Sequence, residues 1–380
     1  MTRKRSVPFV VDLVAGTRPN FVKLAPVERA LRAFPGLVPK VVHTGQHYDV
    51  AMNDVFFEEL GIPEPAVHLG VGSGSHGQQT ARILERYEEC LLKDPPAATV
   101  VFGDVNSTVA CALAAVKLGI PVIHVEAGLR SFDRTMPEEI NRLLTDAIAD
   151  LLLVSEPSGV ENLRREGITE DKIALVGNVM IDTVAATLNK MDGAAIRYRG
   201  LEPGAYGLVT LHRPSNVDNP IVLASLLRLF AELSAQLPLV FPIHPRTRRA
   251  VETAGLVDLL EHTPGLHCLP ALAYGENLAL MRAARLVLTD SGGMQEETTF
   301  LKVPCLTMRD NTERPVTIKL GTSRLVGNNP ARIWSAFRDV MAGAWPGGED
   351  VPLWDGRAAE RVAALIDSWL SNRGKASIAG

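Results

Sequence analysis

Short apolar runs alternate along this chain with longer stretches in which apolar residues recur every three to four positions. Phe9–Ala15, 39–43, Ala98–Phe102, 120–125 and Leu151–Val154 read as buried strands, and 25–33, 79–92 and 107–118 as amphipathic helices between them. A second series follows, with strands at 206–210, 239–243, 265–269, Leu286–Thr289 and 303–307 and a helix at 221–236. Strands that alternate with helices build parallel sheets covered on both faces. At 380 residues the chain is too long for one ordinary core. The expected fold class is therefore α/β, with two Rossmann-like doubly wound domains facing a cleft. The boundaries read as 1–181 for the first domain, 182–201 for a connection, 202–357 for the second domain and 358–380 for a C-terminal helix and tail. Within that tail Val362, Leu365, Ile366, Trp369 and Leu370 share one helical face, which must be buried against one of the domains.

Composition narrows the function classes. The formal net charge is −4, and no basic run is interleaved with aromatics, so nucleic acid is not an expected partner. Cys90, Cys111, Cys268 and Cys305 have no CxxC spacing and read as core thiols in a reducing compartment. The cluster Arg3, Lys4 and Arg5 before an apolar run has the look of a leader peptide. However, Asp12 interrupts the run and Gly16-Thr-Arg-Pro19 follows it, so the segment reads as a first strand. No apolar run approaches the ~18 residues of a membrane span. The expected location is the cytoplasm.

The residues that follow the strands carry the chemistry. In order they are Gly16-Thr-Arg-Pro19, Thr44-Gly-Gln-His-Tyr-Asp49, Gly103-Asp104, His124-Val-Glu126, His212-Arg213, His244-Pro-Arg246 and Asp290-Ser-Gly-Gly293. Ligands of doubly wound sheets lie beyond the carboxyl ends of the strands, so acids, cations and imidazoles concentrated there imply one polar site. A helix that starts at Ser291-Gly-Gly293 offers free N–H groups to an anion, although Ser291 as a plain N-cap explains the same pattern. Arg18, Lys23, Arg213 and Arg314 are candidate cations around a diphosphate. Among the acids, Glu138 fits a capping box with Thr135 or an ion pair with Arg142, and Asp104 fits a cap for the helix near Ser107. Glu126 has no comparable structural explanation. His212 reads equally as a satisfied buried imidazole. The absence of GxxxxGK[ST] and GxGxxG argues against a P-loop and a conventionally bound dinucleotide. Metal-ligand spacing is weak, since His43 and His47 are separated by Gly45.

These motifs taken together resemble a known family. Gly16-Thr-Arg-Pro-x-x-x-Lys23-x-x-Pro26, Gly103-Asp104, His124-Val-Glu-Ala-Gly-Leu-Arg130, Pro137-Glu-Glu-x-Asn-Arg142, Gly177-Asn178, His212-Arg213, Leu288-Thr-Asp-Ser-Gly-Gly-x-Gln-Glu-Glu297 and Met308-Arg-Asp-x-Thr-Glu-Arg-Pro315 occur in the order and spacing of the non-hydrolysing UDP-N-acetylglucosamine 2-epimerases. The resemblance implies a glycosyltransferase-B-like fold, a cytoplasmic homodimer, and no NAD or essential metal. It implies that UDP-GlcNAc and UDP-ManNAc interconvert by elimination of UDP and re-addition to 2-acetamidoglucal. By motif position Asp104, Glu126 and Glu138 are the acid/base carboxylates and His212 assists the departing phosphate. Ser291, Gly292, Gly293 and Glu297 would hold UDP, with Arg18, Lys23, Arg213, His244 and Arg314 around it. Bacterial members bind a second UDP-GlcNAc near a stretch that reads Gly45-Gln-His-Tyr48 here, which makes Gln46 and His47 the candidate regulatory residues. The chain departs from the family at Ser215 and Val316, where the motifs carry an acid. That leaves room for a related sugar such as UDP-diacetamido-glucuronic acid, for which Arg134 is the candidate extra cation. A hydrolysing relative would read Arg-Ala-Asp where this chain has Arg18-Pro-Asn20.

Overall fold

A computed structural model describes residues 8–46, 57–190 and 200–379, with side chains described to residue 373. Contacts divide the chain into two units. The first comprises residues up to Ala186 together with those from Pro352 onward, and the second is Thr187–Val351. The connection expected at 182–201 is in its first half the end of the helix Val179–Lys190, and residues 191–199 lie outside the described residues.

The first unit has a seven-stranded sheet of β1 (Phe9–Ala15), β2 (Leu37–His43), β3 (Val67–His68), β4 (Ala98–Phe102), β5 (Val122–Ala127), β6 (Leu151–Val154) and β7 (Ile173–Leu175) in the order β3-β2-β1-β4-β5-β6-β7. The second has β8 (Gly207–Thr210), β9 (Leu239–Pro242), β10 (Leu266–Leu269), β11 (Leu286–Thr289), β12 (Cys305–Thr307) and β13 (Ser323–Leu325) in the order β10-β9-β8-β11-β12-β13. All pairings are parallel. Each order reverses once, between β1 and β4 and between β8 and β11, and connections on the two sides of such a reversal diverge to open a crevice. Gly16–Arg18 and Gly103-Asp104 follow the strands at the first reversal, and His212 and Asp290 follow those at the second.

Two local devices complete the first unit. Pro26 lies inside the helix Arg18–Arg32 and has no N–H to give the carbonyl four residues back. That carbonyl, on Val22, instead accepts from the Thr183 hydroxyl at 2.6 Å, which ties the helix Val179–Lys190 to it. Asp182 on the latter helix accepts from the backbone N–H groups of Ala358 and Ala359 and so caps the helix Ala358–Ala379. Trp354 Nε1 and Arg361 Nε add bonds to the carbonyls of Ser155 and Val176, at 3.0 and 2.7 Å. The apolar face of the last helix is thereby buried in the first unit, with Val362, Ile366 and Leu370 almost fully covered. Asp12, which interrupts the first apolar run, is buried within β1 beside Lys40 (3.1 Å) and the Tyr87 hydroxyl (3.0 Å). The four cysteines are free thiols, and among the described residues no helix is long and apolar enough to cross a membrane.

Candidate active site

At the carboxyl edge of the first sheet the ladder between β5 and β6 slips between Val125 and Ala127, leaving Glu126 as the extra residue. Its φ is +73°, a left-handed conformation that costs a non-glycine residue of order 1–3 kcal/mol. A bulge of this kind re-aims a side chain. The Glu126 carboxylate is buried and forms an ion pair with Lys23, which is equally buried on the helix Arg18–Arg32. Gly103 runs alongside at φ +61°, and a Cβ there would lie 3.0 Å from Glu126 Oε2 and 3.1 Å from Lys23 Nζ. Glycine is what lets the backbone pass this close to the pair. The Asn20 side chain donates to the carbonyl of Phe102 and fastens the helix start to the end of β4. Lys23, expected among the diphosphate cations, is thus placed on the Glu126 carboxylate.

Asp104 is partnered in the same way. Its carboxylate pairs with Arg142, which also pairs with Glu139 at 2.7 Å. Glu139 accepts from Ser131 N, Ser131 Oγ and Phe132 N at 2.9, 3.0 and 2.9 Å. Burial alone would raise the Glu139 carboxyl, but these N–H bonds and the Arg142 guanidinium outweigh it and hold it below the usual carboxylate range. Neither capping role is taken up. The helix Asn106–Lys117 has Val105 at its N-cap and Pro137–Ile148 has Met136, both without a side-chain cap. The Thr135 hydroxyl bonds to Asp133 instead of forming a capping box. Arg142 pairs with Asp104 and Glu139, where the spacing had offered Glu138 as its partner. Glu138 is left half-buried on the first turn of its helix.

Beneath these acids lies His124, fully buried. Its Nε2 is 2.7 Å from the carbonyl of Gly103, which can only accept, and its Nδ1 is 2.6 Å from Asp146 Oδ1. Asp146 also meets Arg130 at 2.7 Å and the N–H of Gly128 at 3.0 Å. Its burial would raise its pKa, and the His124 and Arg130 charges bring it below the ordinary value. One imidazole therefore ties the loop before Asp104 to the strand that carries Glu126.

The second sheet presents a different edge. The helix Gly292–Leu301 begins there with Ser291 at the N-cap, and the Ser291 hydroxyl makes no capping bond. The free N–H groups of such a first turn suit an anion. A Cβ on Gly292 would be 2.8 Å from Arg314 Nη1 and 2.9 Å from Glu313 Oε1, so that glycine admits Arg314 against the turn. Arg314 is itself buried between Glu296 (2.8 Å) and Glu313. Burial, with some help from the Glu296 charge, raises Glu297 to about 7 against the bond from Tyr274. His212, 34% exposed at the side chain, meets Asp290 at 2.9 Å, and its ring lies 5.4 Å from that of His244. His244 is the N-cap of the helix Pro245–Thr253 and accepts from Arg246 N at 3.1 Å. Arg213 and Arg18 are half-buried beside the ends of β8 and β1. Gln46 is buried and accepts from Ser107 N and Oγ at 3.2 and 2.7 Å, whereas His47 lies outside the described residues.

The structure adds pairings that no local pattern marked, namely Arg142 with Asp104, His124 with Asp146, and Asp290 with His212. Their partners are tens of residues away in sequence, and periodicity carries no signal over that distance. Chemically, the first edge supplies acids able to exchange protons at carbon, and the second supplies N–H groups, imidazoles and guanidiniums able to take negative charge.

Comparison with known proteins agrees with the folds. The model of a family described as UDP-N-acetylglucosamine 2-epimerase matches residues 29–367. The chain is 41% identical over 362 residues to the UDP-N-acetylglucosamine 2-epimerase of Methanocaldococcus jannaschii, covering 94% of this chain and 98% of that protein. It is 42% identical over 358 residues to the UDP-2,3-diacetamido-2,3-dideoxy-D-glucuronate 2-epimerase of Pseudomonas aeruginosa, covering 93% and 98%. The crystal structure of the M. jannaschii enzyme in complex with UDP-GlcNAc and UDP matches with a TM-score of 0.88 at 40% identity, over 94% of this chain and 99% of that one. At 14% identity and a TM-score of 0.57 a glycosyltransferase shares the fold alone, which places the two Rossmann-like domains in the glycosyltransferase-B-like class. A family match across most of the length, on a frame whose strand ends carry these acids and cations, leaves one conclusion: the chain belongs to the UDP-N-acetylglucosamine 2-epimerase family.

Proposed function

We propose that this protein interconverts UDP-GlcNAc and UDP-ManNAc. The observation that carries the reading is Glu126, set on a bulge at positive φ beside Lys23, with Asp104 on the neighbouring strand end. The C2 proton of the sugar is not acidic, since no carbonyl is adjacent within the ring. A carboxylate takes that proton while the C1–O bond breaks. The C2–H electron pair becomes the C1=C2 double bond, and the C1–O pair leaves on the β-phosphate of UDP. The products held in the site are 2-acetamidoglucal and UDP. UDP then re-adds at C1 and a carboxylic acid returns a proton to C2 from the opposite face. The cycle balances with no oxidant, so it calls for no redox cofactor. It does call for acid/base groups on two faces of the sugar, the roles given to Asp104, Glu126 and Glu138. It also calls for charge stabilisation on the leaving diphosphate, the role of His212, Arg18, Arg213, Arg314 and the N–H groups at Ser291, Gly292 and Gly293, with Glu297 on the ribose. A homodimer in the cytoplasm and a regulatory role for Gln46 and His47 belong to the same proposal and rest on the sequence resemblance.

A second reading is a 2-epimerase of UDP-2,3-diacetamido-2,3-dideoxy-D-glucuronate. It is favoured by the 42% identity to the P. aeruginosa enzyme and by Arg134, exposed in the loop between Glu126 and Glu138, as a cation for the C6 carboxylate. Proton NMR of the purified protein with each sugar nucleotide in deuterated water separates the two. Deuterium at C2 of UDP-GlcNAc, with UDP-ManNAc appearing beside it, is the expected result. Exchange with the uronate alone would transfer the reaction to the second substrate, and free ManNAc would make the protein a hydrolase.

A further inference from the structure

The imidazole assigned to the leaving phosphate is held by a carboxylate. We propose that Asp290 is a positioning residue for the reaction, fixing His212 as a donor at Nδ1 and so presenting Nε2 to the departing diphosphate. This rests on the reading above. β11 pairs with β8 so that Thr289 stands opposite Thr210, which brings the residues just beyond them side by side. Asp290 is fully buried there. Its Oδ1 lies 2.9 Å from His212 Nδ1. The same carboxylate accepts from His212 N at 3.0 Å, Arg213 N at 2.8 Å and Asn216 Nδ2 at 3.1 Å. Asn216 in turn donates to the carbonyl of Met308 at 3.0 Å, which braces the assembly against β12.

An ionised carboxylate only accepts, so Nδ1 must carry its hydrogen. The Asp290 carboxyl stays below its ordinary range even though burial pushes it up, because the His212 ring and the two backbone N–H groups bind the charged form. Nε2 is then the nitrogen left for the phosphate, on a ring whose backbone and Nδ1 are both anchored to one group. Its neighbour His244, whose ring lies 5.4 Å away, accepts at Nδ1 from Arg246 N, so that nitrogen carries no proton. The plain alternative is that Asp290 merely closes the turn at 212–216. A turn brace would not need its carboxylate on the ring as well as on the backbone.

Asp290→Asn, His212→Gln and the double variant test the assignment, with Asp290→Glu as the conservative control. The expected result is a fall in kcat of about 10²-fold or more for Asp290→Asn. KM and the UDP dissociation constant should stay within roughly threefold, since binding and chemistry are separable on kcat. The double variant should be no slower than His212→Gln alone, because Asp290 acts only through that ring. In wild-type protein the Nδ1 proton should give a proton NMR signal well downfield of the amides, absent from His212→Gln and from Asp290→Asn and restored by Asp290→Glu. Near-wild-type kcat in Asp290→Asn, multiplicative losses in the double variant, or no downfield signal in wild-type protein would each overturn the proposal. If the wild-type protein exchanges no C2 proton from either sugar nucleotide, the reading of the reaction fails on its own. The spectrum then decides the inference, which requires the Nδ1 signal to move when UDP is added and is overturned if it does not.

Discussion

The two strand edges solve opposite problems with the same residue types. On the first, cations serve acids: Lys23 lies on Glu126, and Arg142 on Asp104 and Glu139. On the second, acids serve donors: Asp290 lies on His212, and Glu296 and Glu313 on Arg314. A buried charge is tolerated only with a partner, and the partner gains little net stability once both are desolvated. What it fixes is which group is displayed and in which state. The first unit displays carboxylates suited to proton transfer at carbon, and the second displays donors suited to a diphosphate. The backbone follows the same division. The first edge carries a carboxylate on a strained bulge, whereas the second uses the ordinary N-termini of helices.

The largest expected effect tests that division directly. Glu126→Gln or Asp104→Asn should lower the rate of C2 hydrogen exchange by about 10²–10⁴-fold. UDP affinity measured by calorimetry should change little, since the diphosphate is assigned to the other edge. A parallel collapse of UDP binding would erase the contrast between the edges. Next comes Gly103→Ala, which places a Cβ at φ +61° within 3.0 Å of Glu126 Oε2. The variant should lose about tenfold in kcat, and the strained conformation should cost roughly 1 kcal/mol in denaturant unfolding. Unaltered kinetics would show that the Lys23–Glu126 geometry is not critical.

A smaller effect belongs to the second edge. Burial raises Glu297 to about 7, so it remains largely protonated below neutrality. A carboxylate accepts ribose hydroxyls better than a neutral acid does. UDP affinity should therefore rise between pH 6 and 8 by up to about tenfold more in the wild type than in Glu297→Gln. Identical pH dependence in the two proteins would remove Glu297 from the ribose.

The last effect lies away from both edges and is read in stability. Burial, only partly countered by the N–H groups of Ala359 and Ala358, raises Asp182 from 3.8 to about 6. The folded state therefore binds this proton more tightly than the unfolded chain does. The stability it contributes is full below about pH 4 and is lost as the pH rises through 6. Asp182→Asn should flatten that part of the stability profile by on the order of 2 kcal/mol in chemical denaturation at pH 4.5 and 7. A variant profile parallel to that of the wild type would refute it.

Much of the frame was legible because buried parallel strands are continuous apolar runs. β1, β4, β6 and β11 lie at the residues that the pattern marked. β5 runs on to Ala127, beyond the expected end at 125, because a glutamate on a bulge does not look like strand. The helix Arg18–Arg32 begins well before the expected residue 25, a start that Pro26 hid from the sequence pattern, and the lost bond is made good from Thr183, far off in the sequence. β3, β7 and β13 have two or three residues and are too short to show a period. In the site, the acids and glycines announced themselves by following strands. That Asp104 and Glu138 do not cap their helices was visible only in the structure. Lys23 looked like a phosphate cation until the fold set it against a residue 103 positions later.

The return of the last helix to the first unit has a consequence for synthesis. Thr187–Val351 is one uninterrupted stretch, but the first unit is left at Ala186 and resumed only at Pro352. At about 5–20 residues per second, a ribosome leaves that gap open for roughly ten to thirty seconds. Over this interval the carboxylate of Asp182 and the carbonyls of Ser155 and Val176 await partners that have not yet been translated. A nascent chain that stops at Val351 already contains every residue of the candidate site, yet it lacks the segment that closes the unit in which Glu126 and Asp104 lie.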